Sequence, residues 1–161
     1  MARIDLRLWT PVALACAAAP VHATQYLTVE QAQRVLFPQA DGFAPAVLAD
    51  RRAWSASKGG ARLGLVVVDE VIGKEELITY AVGIGTDGAL RGLEILDYRE
   101  PRGGEVRDPR WRSQFVGKRN GARLTLDDDI QNISGATLSC RHITEGVRRL
   151  LDAYARTAQA R

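Results

Sequence analysis

A run of small and hydroxyl-bearing residues, Ser134-Gly135-Ala136-Thr137-Leu138-Ser139, is the stretch of this sequence best suited to hold a ligand. It follows an acidic cluster, Asp127-Asp128-Asp129, and precedes the clearest helical pattern in the chain. Ile143, Val147, Leu150, Leu151 and Tyr154 fall at i, i+4, i+7, i+8 and i+11, one apolar stripe of a 3.6-residue period. The small-residue loop therefore feeds a helix N-terminus. The first N–H groups of a helix have no partner within it, and with the positive end of the helix dipole they suit a phosphate. Gly135 and Ala136 leave room for a ligand to approach, and Thr137 places a hydroxyl where a phosphate would rest. The same residues also read as an ordinary capped helix start, with Ser134 or Thr137 as the N-cap. Composition and spacing leave both readings open.

Other chemistries have less to work with. Beyond residue 22 the chain has one Cys, Cys140, and one His, His142, too few for a disulfide or a Cys/His zinc site. Cys140 reads as a small apolar core residue and His142 as a polar-face residue of the last helix. The three aspartates could bind a metal or form a solvated acidic loop. Gly83-Ile84-Gly85 lacks the third glycine and the following helix of a dinucleotide fingerprint. The net charge is +3, with Lys and Arg scattered among acids and no basic block, which argues against nucleic acid as a partner.

The elements that must position the loop can be followed along the chain. Residues 1–23 read as a secretory signal: Arg3 and Arg7, a short apolar stretch from Leu8 to Ala19, and Val21-His22-Ala23 as a cleavage site before Thr24. Residues 24–161 then form one domain, with enough chain for a core. Tyr26 to Phe37 is expected to be a helix, with Thr28 and Gln31 as a capping box and Leu27 as the staple. Val29, Ala32, Val35 and Leu36 form its apolar face, and Pro38 ends it. Residues 39–60 are weakly patterned, with short strands near Val47-Leu48 and Trp54 and a turn at Ser57-Lys58-Gly59-Gly60. Arg62–Asp69, Leu77–Ile84 and Ala89–Tyr98 read as strands, the last two joined by Thr86-Asp87-Gly88. Ile78, Tyr80, Val82 and Ile84 share one face, and Leu96 and Tyr98 share a face opposite Leu93 and Ile95. Glu100 to Lys118 is a long Gly/Pro-rich loop whose Trp111 and Phe115, four apart, suggest a helical turn plugged into the core. Gly121 to Leu126 reads as a last short strand.

The motif Ser134-Gly135-Ala136-Thr137-Leu138-Ser139 resembles the flavinylation motif of the FMN-binding domain family. That family includes extracytoplasmic flavin subunits of the Rnf and sodium-pumping quinone reductase complexes. Its pattern is Asp-x-x-Ser/Thr-Gly-Ala-Thr, and the resemblance makes Thr137 the residue that carries FMN through a phosphoester bond. Gln131 stands where the family has Asp, and Asp129 lies two residues earlier. The resemblance continues through Val71-Ile72-Gly73-Lys74, Tyr98-Arg99-Glu100, Gly103-Gly104-Glu105-Val106 and Trp111 to Lys118. It implies that Gly103, Gly104, Glu105, Trp111 and Phe115 lie beside the cofactor as a lid; by itself the segment also reads as a surface loop pinned by two aromatics, and Lys118 or Arg99 is a candidate for positive charge near the phosphate or the ring.

The expected fold class is α+β: one antiparallel sheet packed by an N-terminal helix and a long C-terminal helix, with the flavin loop at the start of the latter. The expected function is extracytoplasmic electron transfer, in the periplasm or cell envelope, through FMN on Thr137. The implied partners are an FAD-dependent flavin transferase, which the acidic loop could dock or supply with magnesium, and a membrane redox protein, with haem as one form it could take. Two other readings are a carrier of non-covalent FMN and a flavin-free binding or assembly module of the same fold.

Overall fold

The computed structural model describes residues 24–159, so the expected leader at 1–23 lies outside the described residues. The chain opens with a two-residue strand, β1 (Thr24–Gln25), followed by helix α1 (Val29–Leu36). Thr28 starts α1 through the expected capping box. Its hydroxyl accepts the Gln31 N–H at 3.2 Å, and the Gln31 side-chain oxygen accepts the Thr28 N–H at 2.8 Å. Ala32 and Leu36 face the sheet, but Val35 is 54% exposed.

Five strands then run as an antiparallel meander: β2 (Gly42–Leu48), β3 (Arg51–Lys58), β4 (Ala61–Ile72), β5 (Leu77–Gly85) and β6 (Leu90–Tyr98). The sheet order is β1-β6-β5-β4-β3-β2. Thus α1 carries the chain across one face of the sheet, and the meander returns it to β1. A core of Ala32, Leu36, Phe37, Val66, Val68 and Ala81 lies on the α1 face. The larger core, on the other face, is covered by helix α3 (Thr137–Gln159). Ile143, Val147, Leu150 and Leu151 are buried there, and Tyr154 packs at its edge. The α+β architecture is the one expected. Among the described residues no helix is long and apolar enough to cross a membrane.

Three expectations change. Residues 39–60 hold two full strands rather than two short ones. Their hairpin turns at Ala49 and Asp50, both with positive φ (46° and 63°), where the usual signal is Asn-Gly or Asp-Gly. Residues 121–126 are not a strand. Leu124 takes φ 44°, and the Asp129 carboxylate accepts the Leu124 and Thr125 N–H groups at 3.2 and 2.7 Å. A side chain thus satisfies donors that a neighbouring strand would otherwise take.

The third change concerns β6. The β5–β6 register passes from Thr79↔Asp97 to Tyr80↔Ile95, leaving Leu96 as an extra residue. This bulge resets the alternation. Leu96 packs on the α1 side while Tyr98 joins Leu93 and Ile95 on the α3 side. Tyr98 does not share a face with Leu96 as simple alternation requires.

The Glu100–Lys118 segment is more ordered than a loop. It contains a 3-10 turn (Gly104–Arg107), a one-turn helix α2 (Pro109–Arg112) and another 3-10 turn (Ser113–Phe115). Asp108 caps α2 by accepting the Arg110 N–H at 2.8 Å. Trp111 and Phe115 enter the α3-side core edge to face, with ring centroids 5.1 Å apart at 66°.

Candidate functional site

The Ser-Gly-Ala-Thr loop turns tightly into α3. The Ala136 N–H bonds to the Ile133 carbonyl at 2.9 Å, and Gly135 takes φ 82°, a conformation open to glycine at little cost. The Cys140 N–H bonds to the Ala136 carbonyl at 2.9 Å. Ala136 therefore occupies the N-cap position, not Ser134 or Thr137. Alanine has no side-chain oxygen to satisfy the opening donors and is a poor cap. The N–H groups of Thr137, Leu138 and Ser139 have no partner within α3 by helix geometry. An anion at this end would meet these donors and the positive end of a helix 23 residues long. The Thr137 hydroxyl sits beside them and accepts the Asn132 side-chain N–H at 3.1 Å.

The opposite wall is built by the end of β6. The buried Tyr98 hydroxyl donates to the Arg102 carbonyl at 2.5 Å and lies 3.3 Å from Ser139 Oγ. It ties the glycine-rich loop to the first turn of α3 beneath the cleft. Burial raises the Tyr98 phenol, with the Ser139 contact opposing, so the phenol stays neutral and able to donate. Gly103 takes φ 84°, and a Cβ there would collide with Ala136 and the Tyr98 hydroxyl. Gly103 is thus the close-approach point of the two loops.

A third wall comes from the β4–β5 turn. Glu100 accepts the Glu75 and Glu76 N–H groups at 2.7 and 3.0 Å. Burial alone would raise the Glu100 carboxyl. Backbone N–H bonds from Glu76, Glu75 and Lys74, with the Lys74 charge, outweigh it and hold the carboxyl below its usual range. From the helix side, His142 Nδ1 meets the Ile72 carbonyl at 2.6 Å.

These walls enclose two adjoining clefts. One, about 510 Å³, is lined by Lys74, Glu100, Arg102 and residues 135–139. The other, about 770 Å³, is lined by residues 101–105, Arg107, Asp108, Ser134 and Gly135. Both volumes fall within the roughly 300–1,000 Å³ of small-molecule sites. The structure thus brings together Ser134, Gly135, Ala136, Thr137, Leu138, Ser139, Gly103, Gly104 and Glu105. Trp111 and Phe115 lie in the core behind the site and line neither cleft. The Trp111 indole N–H donates to the Gln131 carbonyl at 2.8 Å, and Gln114 accepts the Gln131 N–H at 2.8 Å. The aromatic segment therefore pins the chain that leads into Ser134. Lys118 pairs with Asp129 at 2.7 Å and Arg99 with Asp97 at 2.7 Å. The cations lining the clefts are Lys74, Arg102 and Arg107.

The family model of the FMN-binding domain matches residues 73–152. Those residues belong to the FMN-binding domain family, and the cofactor of this domain is FMN. A curated relative from Clostridium ljungdahlii is named as a subunit of the proton-translocating ferredoxin:NAD(+) oxidoreductase complex. It is 27% identical over 142 residues, covering 83% of this chain and 76% of that protein. The crystal structure of Shewanella oneidensis NqrC matches with a TM-score of 0.55 at 16% identity, covering 84% of this chain and 78% of that chain. That second likeness is one of fold.

The FMN-binding domain has the features the group requires. The uncapped start of α3 suits the phosphate, and the adjoining clefts offer close backbone approach at Gly103 and Gly135. Tyr98, Lys74 and Arg102 are not among the expected site residues, although Tyr98 and Lys74 fall in segments that carry the resemblance. Strict alternation puts Tyr98 on the other face, and Lys74 reaches the cleft through the turn that Glu100 holds. Burial pushes the Cys140 thiol up, which suits an unreactive core residue. Among the described residues no three or more His, Cys, Asp or Glu side chains are grouped so as to hold a metal ion.

Tyr98→Phe tests the tie between the loops. Losing its hydroxyl bonds costs about 0.5–1.5 kcal/mol each, and FMN affinity is expected to fall about three- to tenfold in a fluorescence titration. Unchanged affinity with lowered stability would assign the hydroxyl to the core alone.

Proposed function

We propose that this protein is an extracytoplasmic electron carrier whose FMN is held by a phosphoester bond to Thr137. The observation that carries the reading is the placement of the Thr137 hydroxyl at the uncapped start of α3, on a residue that lines a cleft of about 510 Å³. Phosphate and hydroxyl thereby meet at one point. A flavin exported across a membrane would otherwise diffuse away, and a link through its phosphate leaves the redox ring unmodified. When bound, FMN supplies one- and two-electron chemistry. The chain's own residues hold the phosphate at the N–H groups of residues 137–139, fix the glycine-rich loop through Tyr98, and keep Glu100 locked to the β4–β5 turn.

Residues 1–23 act as a signal segment and residues 24–161 as a single FMN-binding domain of the periplasm or cell envelope. The partners are a flavin transferase, which takes FAD, leaves FMN on Thr137 and releases AMP, and a membrane redox protein. The relative named as part of a proton-translocating oxidoreductase complex supports a redox partner in the membrane. The expected mature N-terminus is Thr24, which intact mass of protein secreted by its own host decides; a lipid-modified N-terminus at Cys16 overturns it.

Gln131 in the family's Asp position favours a second reading, an FMN carrier without the covalent link. Protein co-expressed with a flavin transferase distinguishes the two on a denaturing gel. Fluorescence that stays with the band supports attachment. Yellow protein that loses its colour on denaturation supports the second reading, and colourless protein leaves a flavin-free module.

A further inference from the structure

We infer that Asn132 is a positioning residue for the transfer of FMN: its carboxamide orients the Thr137 hydroxyl toward the incoming phosphorus. The inference rests on the covalent reading proposed above. Asn132 lies five residues before Thr137 in sequence, and the turn at Ile133–Ala136 folds the chain so that Asn132 Nδ2 reaches Thr137 Oγ1 at 3.1 Å. The other amide atom, Asn132 Oδ1, is buried and has no hydrogen-bond partner. Turned over, the carboxamide would instead accept the Thr137 O–H and leave its NH₂ group without a partner. In either orientation its one side-chain bond is to the Thr137 hydroxyl. A half-buried amide that leaves its buried oxygen without a partner is costly as a packing element. Its single remaining contact is with the hydroxyl that the covalent reading makes the nucleophile.

Orientation matters at this hydroxyl because Thr137 is otherwise exposed to competing partners. Neighbouring N–H groups of the helix start lie free, and Glu100 and Lys74 line the same cleft. Holding one side of Oγ1 leaves its other lone pair available to the cleft. In the transfer, Oγ1 forms a bond to the riboflavin-side phosphorus of FAD, and the bond from that phosphorus to the bridging oxygen breaks. AMP leaves with that oxygen, and the Thr137 proton is released. Nothing is oxidised or reduced. An amide is too weak a base to take the proton, so Asn132 acts by placing the oxygen.

The test uses the full mature chain, FAD and a flavin transferase with magnesium, following FMN addition by intact mass. Asn132→Ala should lower kcat for labelling at least tenfold with little change in KM for the chain. Asn132→Asp cannot donate to Oγ1 but can accept the Thr137 O–H, which still holds the hydroxyl in place, and should recover much of that rate. In a Thr137→Ser background the loss from Asn132→Ala should be larger, because serine lacks the branched methyl that restricts χ1. A residue that only supports the fold would cost the same factor in both backgrounds. Equal labelling rates for wild type and Asn132→Ala, an effect on KM alone, no recovery in Asn132→Asp, or equal losses in the two backgrounds would each overturn the role of Asn132. A wild-type chain that takes no label, from a transferase that labels another acceptor protein, would overturn the covalent reading itself. Protein stability measured in parallel keeps the two separable, since Asn132→Asp preserves the side-chain shape if Asn132→Ala fails to fold.

Discussion

Thr137→Ala is expected to yield a folded protein that takes no covalent FMN. Thr137 is the first residue of α3 and not its cap, so its hydroxyl satisfies no opening N–H of the helix. Its hydrogen bond is the one from Asn132. Losing that bond costs about 1 kcal/mol, partly offset because alanine is the better helix former by up to about 0.7 kcal/mol. A domain with about 5–15 kcal/mol of stability tolerates this. The free N–H groups at the start of α3 are untouched, so the variant should still bind FMN reversibly. Thr137→Ser keeps the nucleophile and should label at a reduced but detectable rate. The rival acceptors differ in access: Ser139 is 3% exposed and faces Tyr98, whereas Ser134 is more open. Ser134 is therefore the acceptor to rule out. Peptide mapping should find the mass of FMN less water on Thr137. Label on Ser134, or undiminished label in Thr137→Ala, would sink the assignment.

What could be read from the sequence follows from how local each cause is. The capping box at Thr28, the stripe from Ile143 to Tyr154 and the shared face of Ile78, Tyr80, Val82 and Ile84 on β5 depend on neighbours within a few residues, and all are in the structure. The Ala49-Asp50 hairpin depends on positive φ at residues with no glycine to announce it. The segment at 121–126 depends on Asp129 folding back, a contact that propensity cannot see. In the site, the Ser-Gly-Ala-Thr loop was legible because its glycine, its hydroxyls and the helix after it sit within a dozen residues. Its other wall was legible only in Gly103, Gly104 and Glu105. Tyr98 reaches the loop through a bulge at Leu96, and Lys74 through a turn that Glu100 holds. The cap differs too: Ser134 and Thr137 have the oxygens of good caps, but the turn at Gly135 brings the helix start to Ala136. The residue that leaves the donors free is one that propensity rules would not choose.

Trp111 and Phe115 separate two kinds of support for the site. Both are buried, at 5% and 0% exposure, and truncating either to alanine should cost about 3–5 kcal/mol. That is a large share of the domain's stability, so a lowered yield is expected from both and does not discriminate. Because the rings touch, their losses should not add, with a coupling of about 0.5–1.5 kcal/mol in a double-mutant cycle. Flavin binding is where they should part. Phe115 contributes packing, whereas the Trp111 indole also donates to the Gln131 carbonyl and so fixes the chain that enters Asn132 to Thr137. Trp111→Phe keeps most of the ring and removes the N–H, and Phe115→Leu keeps an apolar side chain and removes no hydrogen bond. Compared at matched stability, Trp111→Phe should weaken FMN retention and shift the flavin absorption and fluorescence, and Phe115→Leu should leave the spectrum near wild type. Identical spectra in wild type and both variants would assign the two aromatics to packing alone and leave the approach to the flavin loop held by Gln114 and the turn at Gly135.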